Sequence, residues 1–190
     1  MIMAKAYVFL ANGFEEVEAL TIVDVLIRGG VDVTTVSITD NENVTGAHGI
    51  TVVANQVWDE ADFSDADVLL LPGGMPGTSN LFEKSELCEL VKQHAESGKL
   101  TGAICAAPLI LGGLGLLRGG RNATCYPGFE QYLTDANYTQ EVYTVDGNII
   151  TGNGPAAALP FSYAVLRAIQ GEETANTVAE QMMFLKLMEK

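Results

Sequence analysis

In the run Thr101-Gly-Ala-Ile-Cys105-Ala-Ala-Pro108 a thiol stands where a short apolar strand pattern gives way directly to a helical one. A strand-to-helix junction without a loop forces a tight elbow and projects the side chain from the sheet edge, as in the nucleophile elbows of hydrolases. A helix N-terminus also brings partial positive charge and free N–H groups, which favour thiolate over thiol. Gly102, Ala103, Ala106 and Ala107 leave room beside the sulfur. Pro108 is tolerated in a first helical turn because its missing N–H has no partner there. The chemistry open to such a residue is attack on a small electrophile. The competing reading is an inert core thiol, the commoner fate of a free cysteine.

An acid partner is found far upstream, in Asn12-Gly-Phe-Glu15-Glu16-Val-Glu18. Asn12 and Glu15 have the spacing of a capping pair, and Glu15 and Glu16 suit the positive end of a helix dipole. Glu18 differs, because it shares an i, i+4, i+7 line with Ile22 and Val25 and so lies on an apolar stripe. A carboxyl held there has a raised pKa and, kept protonated, donates a hydrogen bond, with Cys105 as the acceptor in view. The plainer alternative is a glutamate leaning out at the edge of its stripe.

Pro72-Gly73-Gly74-Met75-Pro76-Gly77 follows a buried strand pattern, and its successive amides can form a nest for an oxyanion. Equally, glycines of this kind make a tight turn. Gly112–Gly119 fails the dinucleotide spacing and follows a helix, and no Walker pattern occurs, so no nucleotide cofactor is expected. His48 and His94 are far apart and the three cysteines, Cys88, Cys105 and Cys125, form no C-x-x-C pair; no metal and no disulfide framework are expected. Cys88 reads as helix packing, His94 as a cation late in its helix, and Cys125 as a packed strand residue or, less simply, a resolving thiol. Asp24 and Arg28 have ion-pair spacing.

These residues need a scaffold that gathers strand ends. Strand patterns at Ala6–Leu10, Val31–Ile38, Ile50–Ala54, Val68–Leu71 and Thr101–Ile104 alternate with helical ones at Phe14–Arg28, Ser79–Ser97 and Ala106–Leu117. The second half offers strands at Asn122–Cys125, Glu141–Val145 and Asn148–Thr151, a short helix at Phe129–Leu133, and helices at Ala156–Ile169 and Glu172–Met188. Alternation with glycine after the strands predicts an α/β, flavodoxin-like three-layer sandwich: a mostly parallel central sheet with helices on both faces. Residues 1–190 read as one domain. Ligands in such folds collect at the carboxyl ends of the strands, here Asn12–Phe14, Pro72–Asn80, Cys105 and Gly152–Pro155. Glu15, His48, Tyr126, Gly154 and Pro155 are the candidate border of that site.

Composition limits the partners. Ten basic against 24 acidic residues give a formal charge of −14, which repels nucleic acid and anionic lipid and suits small-molecule work. No apolar run is long enough to span a bilayer, and Met1–Leu10 reads as a first strand rather than a signal peptide. Cysteine usage favours a reducing, cytoplasmic setting.

Gly13-Phe-Glu-Glu-Val-Glu18, Leu71-Pro-Gly-Gly74 and Ala103-Ile-Cys105-Ala-Ala-Pro108, in order and at matching spacing, resemble the ThiJ/PfpI superfamily. The resemblance runs from about Lys5 to the last helix and is nearest to the branch of the Parkinson-disease-linked redox and deglycase protein and its bacterial homologues. It implies a homodimer without cofactor, a nucleophile at Cys105, a protonated acid at Glu18, and oxyanion-binding backbone at Gly74 and Ala106. It also implies stress protection through cysteine oxidation, glyoxalase or deglycase chemistry on methylglyoxal-type carbonyls, or chaperone activity. The partner molecule is then a peroxide or a reactive carbonyl. A non-catalytic redox-regulated chaperone or sensor, with Met182–Leu185 as its apolar surface, is the alternative; a thiazole or thiamine role rests on a family label alone. Two positions depart from the pattern. Ala106 stands where the protease branch has histidine, and Tyr126 stands before Pro127 where glyoxalase-active members often have one. Glu18 is then the one evident base near neutrality.

Overall fold

Alternation along the first strand divides its side chains between two cores: Ala6, Val8 and Leu10 enter one, Tyr7 and Phe9 the other. That split makes the molecule a layered sandwich. The computed structural model describes residues 3–188, so Met1 and Ile2 of the expected first segment lie outside the described residues, as do residues 189 and 190.

The chain runs β1 (Lys5–Leu10), α1 (Glu16–Arg28), β2 (Asp32–Ser37), β3 (Asn43–Thr45), β4 (Thr51–Val53), β5 (Gln56–Val57) and β6 (Val68–Leu71). It continues through α2 (Gly77–Glu83), α3 (Ser85–Glu96), β7 (Leu100–Ile104), α4 (Pro108–Gly113), β8 (Asn122–Ala123) and β9 (Asn137–Tyr138). The last elements are β10 (Tyr143–Asp146), β11 (Ile149–Gly152), α5 (Ala158–Gln170), α6 (Glu172–Gln181) and α7 (Phe184–Met188).

Seven strands form the central sheet in the order β10-β11-β7-β6-β1-β2-β5. All neighbours are parallel except the edge hairpin β10–β11. Helices α1, α5 and α6 cover one face through Ile22, Leu26, Phe161 and Leu166; α3 and α4 cover the other through Leu87, Val91 and Ile110. Full burial of each such side chain stabilises by roughly 1.5–3 kcal/mol. Since β1 lies between β2 and β6, the order reverses beside it, and the carboxyl ends of β1, β6 and β7 open on that crevice. This is the flavodoxin-like α/β arrangement expected.

Several local expectations are corrected. The segment read as one helix from Ser79 to Ser97 is two, broken at Lys84, whose backbone is extended (φ −80°, ψ 97°). The helix expected over Ala106–Leu117 is confined to Pro108–Gly113, where Gly112, Gly113 and Gly115 end it. Asn12 does not cap α1: its side-chain oxygen accepts the Thr45 N–H at 3.0 Å, while Glu15 occupies the cap position without a side-chain cap. The polar loop expected at Thr39–Gly46 contains β3, which pairs antiparallel with β4. His94 is buried with Nε2 3.1 Å from the Leu100 carbonyl, and burial lowers its pKa, so it is neutral rather than a dipole-compensating cation.

Candidate active site

Cys105 leaves β7 with φ of +65°, a left-handed conformation that costs a non-glycine residue about 1–3 kcal/mol. The surrounding backbone enforces it. Cys105 N–H donates to Gly152 O at 2.9 Å, and Cys105 O accepts Tyr126 N–H at 2.8 Å. The elbow is therefore clamped between the strand ends of β11 and the loop after β8. The junction is two residues longer than the sequence pattern implied, since Ala106 and Ala107 turn before Pro108 opens α4. Cys105 retains 8% exposure, a narrow opening onto the crevice.

Glu18 reaches this point from the first turn of α1 and is fully buried. Its Oε2 accepts the Gly73 N–H at 2.8 Å, while Oε1 is buried without a hydrogen-bond partner. The Cys105 thiol is the polar group beside it. Gly73 has to be glycine: a Cβ there would lie 2.6 Å from the Cys105 Cβ and 2.8 Å from Glu18 Oε2. Any side chain would separate the pair. Gly74 adopts φ of +91°, and its amide and that of Ala106 are directed at the sulfur. Glu15 N–H donates to Gly73 O at 2.9 Å, tying the loop after β6 to the start of α1.

Burial pushes the Glu18 carboxyl up to about 7, against the opposing hydrogen bonds of Cys105 and Gly73. With the carboxylate charged beside it, burial first and then that charge push the Cys105 thiol up to about 12, against the Gly74 and Ala106 amides. The helix-terminus lowering expected from sequence is thus outweighed while Glu18 is charged. Two adjacent buried anions exclude each other, so the pair carries one negative charge across the intervening range. On sulfur that charge receives three donors, the Gly74 and Ala106 amides and the Glu18 O–H; on the carboxylate it receives the Gly73 amide and the thiol. The carboxyl has the lower value, so above about 7 the charge rests on Glu18, and the donors around sulfur serve the anion that forms as Cys105 reacts.

The remaining candidates divide. Tyr126 lies across Gly154, where a Cβ would meet its Cδ2 at 3.2 Å, so the two form one wall; Pro155 follows as the start of a short 3-10 turn. His48 sits at the outer corner, its Nδ1 2.8 Å from Glu16 Oε2 and 3.8 Å from Glu15 Oε1. These three side chains are the one grouping with metal-ligating spacing among the described residues, and local spacing hides it because His48 lies 32 residues from Glu16. Glu16, read as a solvated dipole partner, is buried and accepts the His48 and Ile50 amides at 2.8 and 3.4 Å. Cys125 is fully buried and packs in the core on the opposite face of the sheet from that of Cys105.

A thiol on a strained elbow, a buried carboxyl and convergent amides at this crevice define a cysteine-centred member of the flavodoxin-like class. The chain matches the DJ-1/PfpI family over residues 4–168 and belongs to it. It is 38% identical to DJ-1 homolog B of Arabidopsis thaliana over 92% of its own length, spanning 40% of that protein. It is 30% identical to the glutathione-independent glyoxalase DJR-1.2 of Caenorhabditis elegans, over 90% of this chain and 91% of that one. The structure of oxidized DJ-1 from Toxoplasma gondii superposes with a TM-score of 0.90 at 31% identity, covering 95% of this chain and 98% of that one. Among the described residues, no helix is long and apolar enough to cross a membrane.

Proposed function

We propose that this protein disarms small electrophiles, first of all α-oxoaldehydes of the methylglyoxal type, through Cys105 with Glu18 as acid and base. The observation that carries the reading is the Cys105–Glu18 pair: a thiol on a strained elbow and a fully buried carboxyl packed together against Gly73, with burial raising the carboxyl to about 7. The name of the Caenorhabditis relative points to the same chemistry.

Cys105 sulfur adds to the aldehyde carbon as Glu18 carboxylate takes the thiol proton, and the carbonyl oxygen, developing negative charge, accepts the Gly74 and Ala106 N–H groups and then that proton from Glu18. The product of this step is a hemithioacetal. Glu18 carboxylate next removes the proton from the former aldehyde carbon and delivers it to the neighbouring carbonyl oxygen, giving an enediol; the hydroxyl proton on the sulfur-bearing carbon then passes through Glu18 to the neighbouring carbon. The resulting thioester is hydrolysed by one water, releasing the 2-hydroxy acid and restoring the thiol. Oxidant and reductant are both carbons of the substrate, so no cofactor is needed. With tyrosine rather than histidine at position 126, the proton transfers fall to Glu18.

Lactate formation from methylglyoxal by wild type, Glu18→Gln and Cys105→Ser tests the reading. Turnover lost in both variants supports it, and a Glu18→Gln rate equal to wild type rejects the acid–base role.

The same thiol offers a second reaction, favoured by the amides around sulfur: peroxide oxidises it to sulfenate and a second peroxide to sulfinate, each step releasing one water. The Toxoplasma relative is described as oxidized. Mass gain of two oxygens on Cys105 under peroxide, absent in Cys105→Ser, tests this branch.

The working unit we propose is a homodimer paired through the outer side of α1. Val17, Leu20 and Ile27 are exposed on a helix whose other side is already buried, and Val53 of β4 is exposed as well. Sedimentation of Leu20→Glu as a monomer, against a wild-type dimer, supports that pairing; two identical profiles reject it.

A further inference from the structure

A cavity of about 330 Å³ is lined by Met75, Ser79, Phe82, Leu109, Phe129 and Tyr132, with Gly113 at its edge. Its walls continue the segments that build the site. Met75 follows Gly74, one Cα step of about 3.8 Å onward. Leu109, in the first turn of α4, lies four residues beyond Cys105, and Phe129, whose N–H donates to Tyr126 O at 3.1 Å, closes the loop that begins at Tyr126. The cavity is thus continuous in chain with the nest, the elbow and the Tyr126 wall.

Its lining is uncharged and mostly apolar, with Ser79, Gln131 and Thr134 as its polar members. The Phe129 and Tyr132 rings are 6.1 Å apart and tilted by 44°, and Met75, Phe82 and Tyr132 all keep more than a third of their surface exposed. No acidic or basic side chain lines it, in a chain of formal charge −14. Large apolar side chains gathered open at a concave site mark a place where something apolar binds. Gly113 keeps it open, since a Cβ there would lie 2.5 Å from Phe82 Cζ and force the ring to move.

We infer that this cavity is the substituent subsite for the electrophile, selecting α-oxoaldehydes whose carbonyl carries an uncharged aromatic or branched alkyl group over the methyl compound. The inference rests on the electrophile reading above and adds the class of substrate. The reacting carbons sit at Cys105, the substituent rests against Leu109, Met75 and the Phe129–Tyr132 wall, and the bond changes are those already given, so phenylglyoxal and water yield mandelate.

The experiment compares kcat/KM for phenylglyoxal and methylglyoxal in wild type, in Gly113→Leu and in Ser79→Phe, which fills the cavity from the opposite wall. Circular dichroism confirms that the variants fold. The expected result is a wild-type preference for phenylglyoxal that falls by at least about tenfold in both variants, with methylglyoxal within twofold of wild type. Equal losses for both substrates, or an unchanged preference, overturn the subsite. Should neither substrate turn over in wild type, the electrophile reading has failed, and acetophenone, an unreactive aryl ketone, decides the subsite alone. Shifts of the Met75 and Leu109 methyl NMR signals on adding it, abolished by Gly113→Leu, support the cavity as an aryl site; no shift overturns it.

Discussion

Glu16 and Glu18 occupy the first turn of the same helix, both buried, yet their surroundings drive them in opposite directions. Burial disfavours the charged form of each. At Glu16 it is outweighed by the His48 imidazole and by the His48 and Ile50 amides, and the carboxyl falls below its ordinary range. At Glu18 a single backbone amide and a thiol are not enough, and the carboxyl rises to about 7. Two residues of helix separate a permanently charged structural clasp from a titrating acid. The number of donors, rather than burial itself, assigns the roles.

The largest effect that sharpens this contrast is at the nucleophile. Cys105→Ser should reduce methylglyoxal turnover to background, since a hydroxyl gives no comparable anion beside Glu18. Activity that survives would move the chemistry elsewhere. Glu18→Gln keeps an acceptor for Gly73 but removes the titrating proton, and should lower kcat/KM by about 10²–10⁴.

The same substitution should raise stability. The folded pKa of Glu18, about 7, lies above the unfolded 4.5, so wild type loses stability as pH rises through that window. Glu18→Gln escapes the loss, giving no advantage below pH 4.5 and on the order of 3 kcal/mol above pH 7. Thermal melts at pH 4 and pH 8 measure it, and a variant less stable than wild type at pH 8 would break the comparison.

Glu16→Ala should do the opposite. It leaves the amides of the β3–β4 turn unpaired and should cost about 1–3 kcal/mol at pH 7. Because the folded pKa of Glu16 is lowered, its contribution is present above the unfolded 4.5 and is lost as pH falls through the folded value. A denaturation series from pH 7 to pH 3 in which wild type and variant converge would confirm this. The smallest effect is at exposed His48, whose pKa is raised by its hydrogen bond to Glu16 and then by Glu15. His48→Asn should cost stability only below the raised pKa and approach wild type as pH climbs past it, read from the same melts.

The contrast also marks how far sequence reaches. Glu18 and Cys105 were legible because each breaks a local pattern: an acid on an apolar stripe, and a thiol at a strand-to-helix junction. The sheet and its layers were legible from periodicity. Glu16 was not, because its donors lie 32 and 34 residues away in a turn whose strand β3 reads as polar loop. Asn12 looked like a helix cap for the same reason: its spacing is local, but its partner Thr45 is not. The cavity beside Met75 and Phe129 arises from three segments, two of them carrying α2 and α4, that meet only in the fold. Position within a segment is written locally; donor counts around a buried charge are set by segments far apart in the chain.

Thiolate absorbance against pH is the most direct test of the claim that one negative charge is shared by Cys105 and Glu18, with the carboxylate its seat above about 7. Cys105→Ser serves as the blank and Glu18→Ala as the uncoupled partner. The account predicts a Cys105 thiolate step above the free-thiol value of about 8.5, held up by burial and by the Glu18 charge, and moving downward in Glu18→Ala. A wild-type step below the free-thiol value, or one that Glu18→Ala leaves in place, would contradict it.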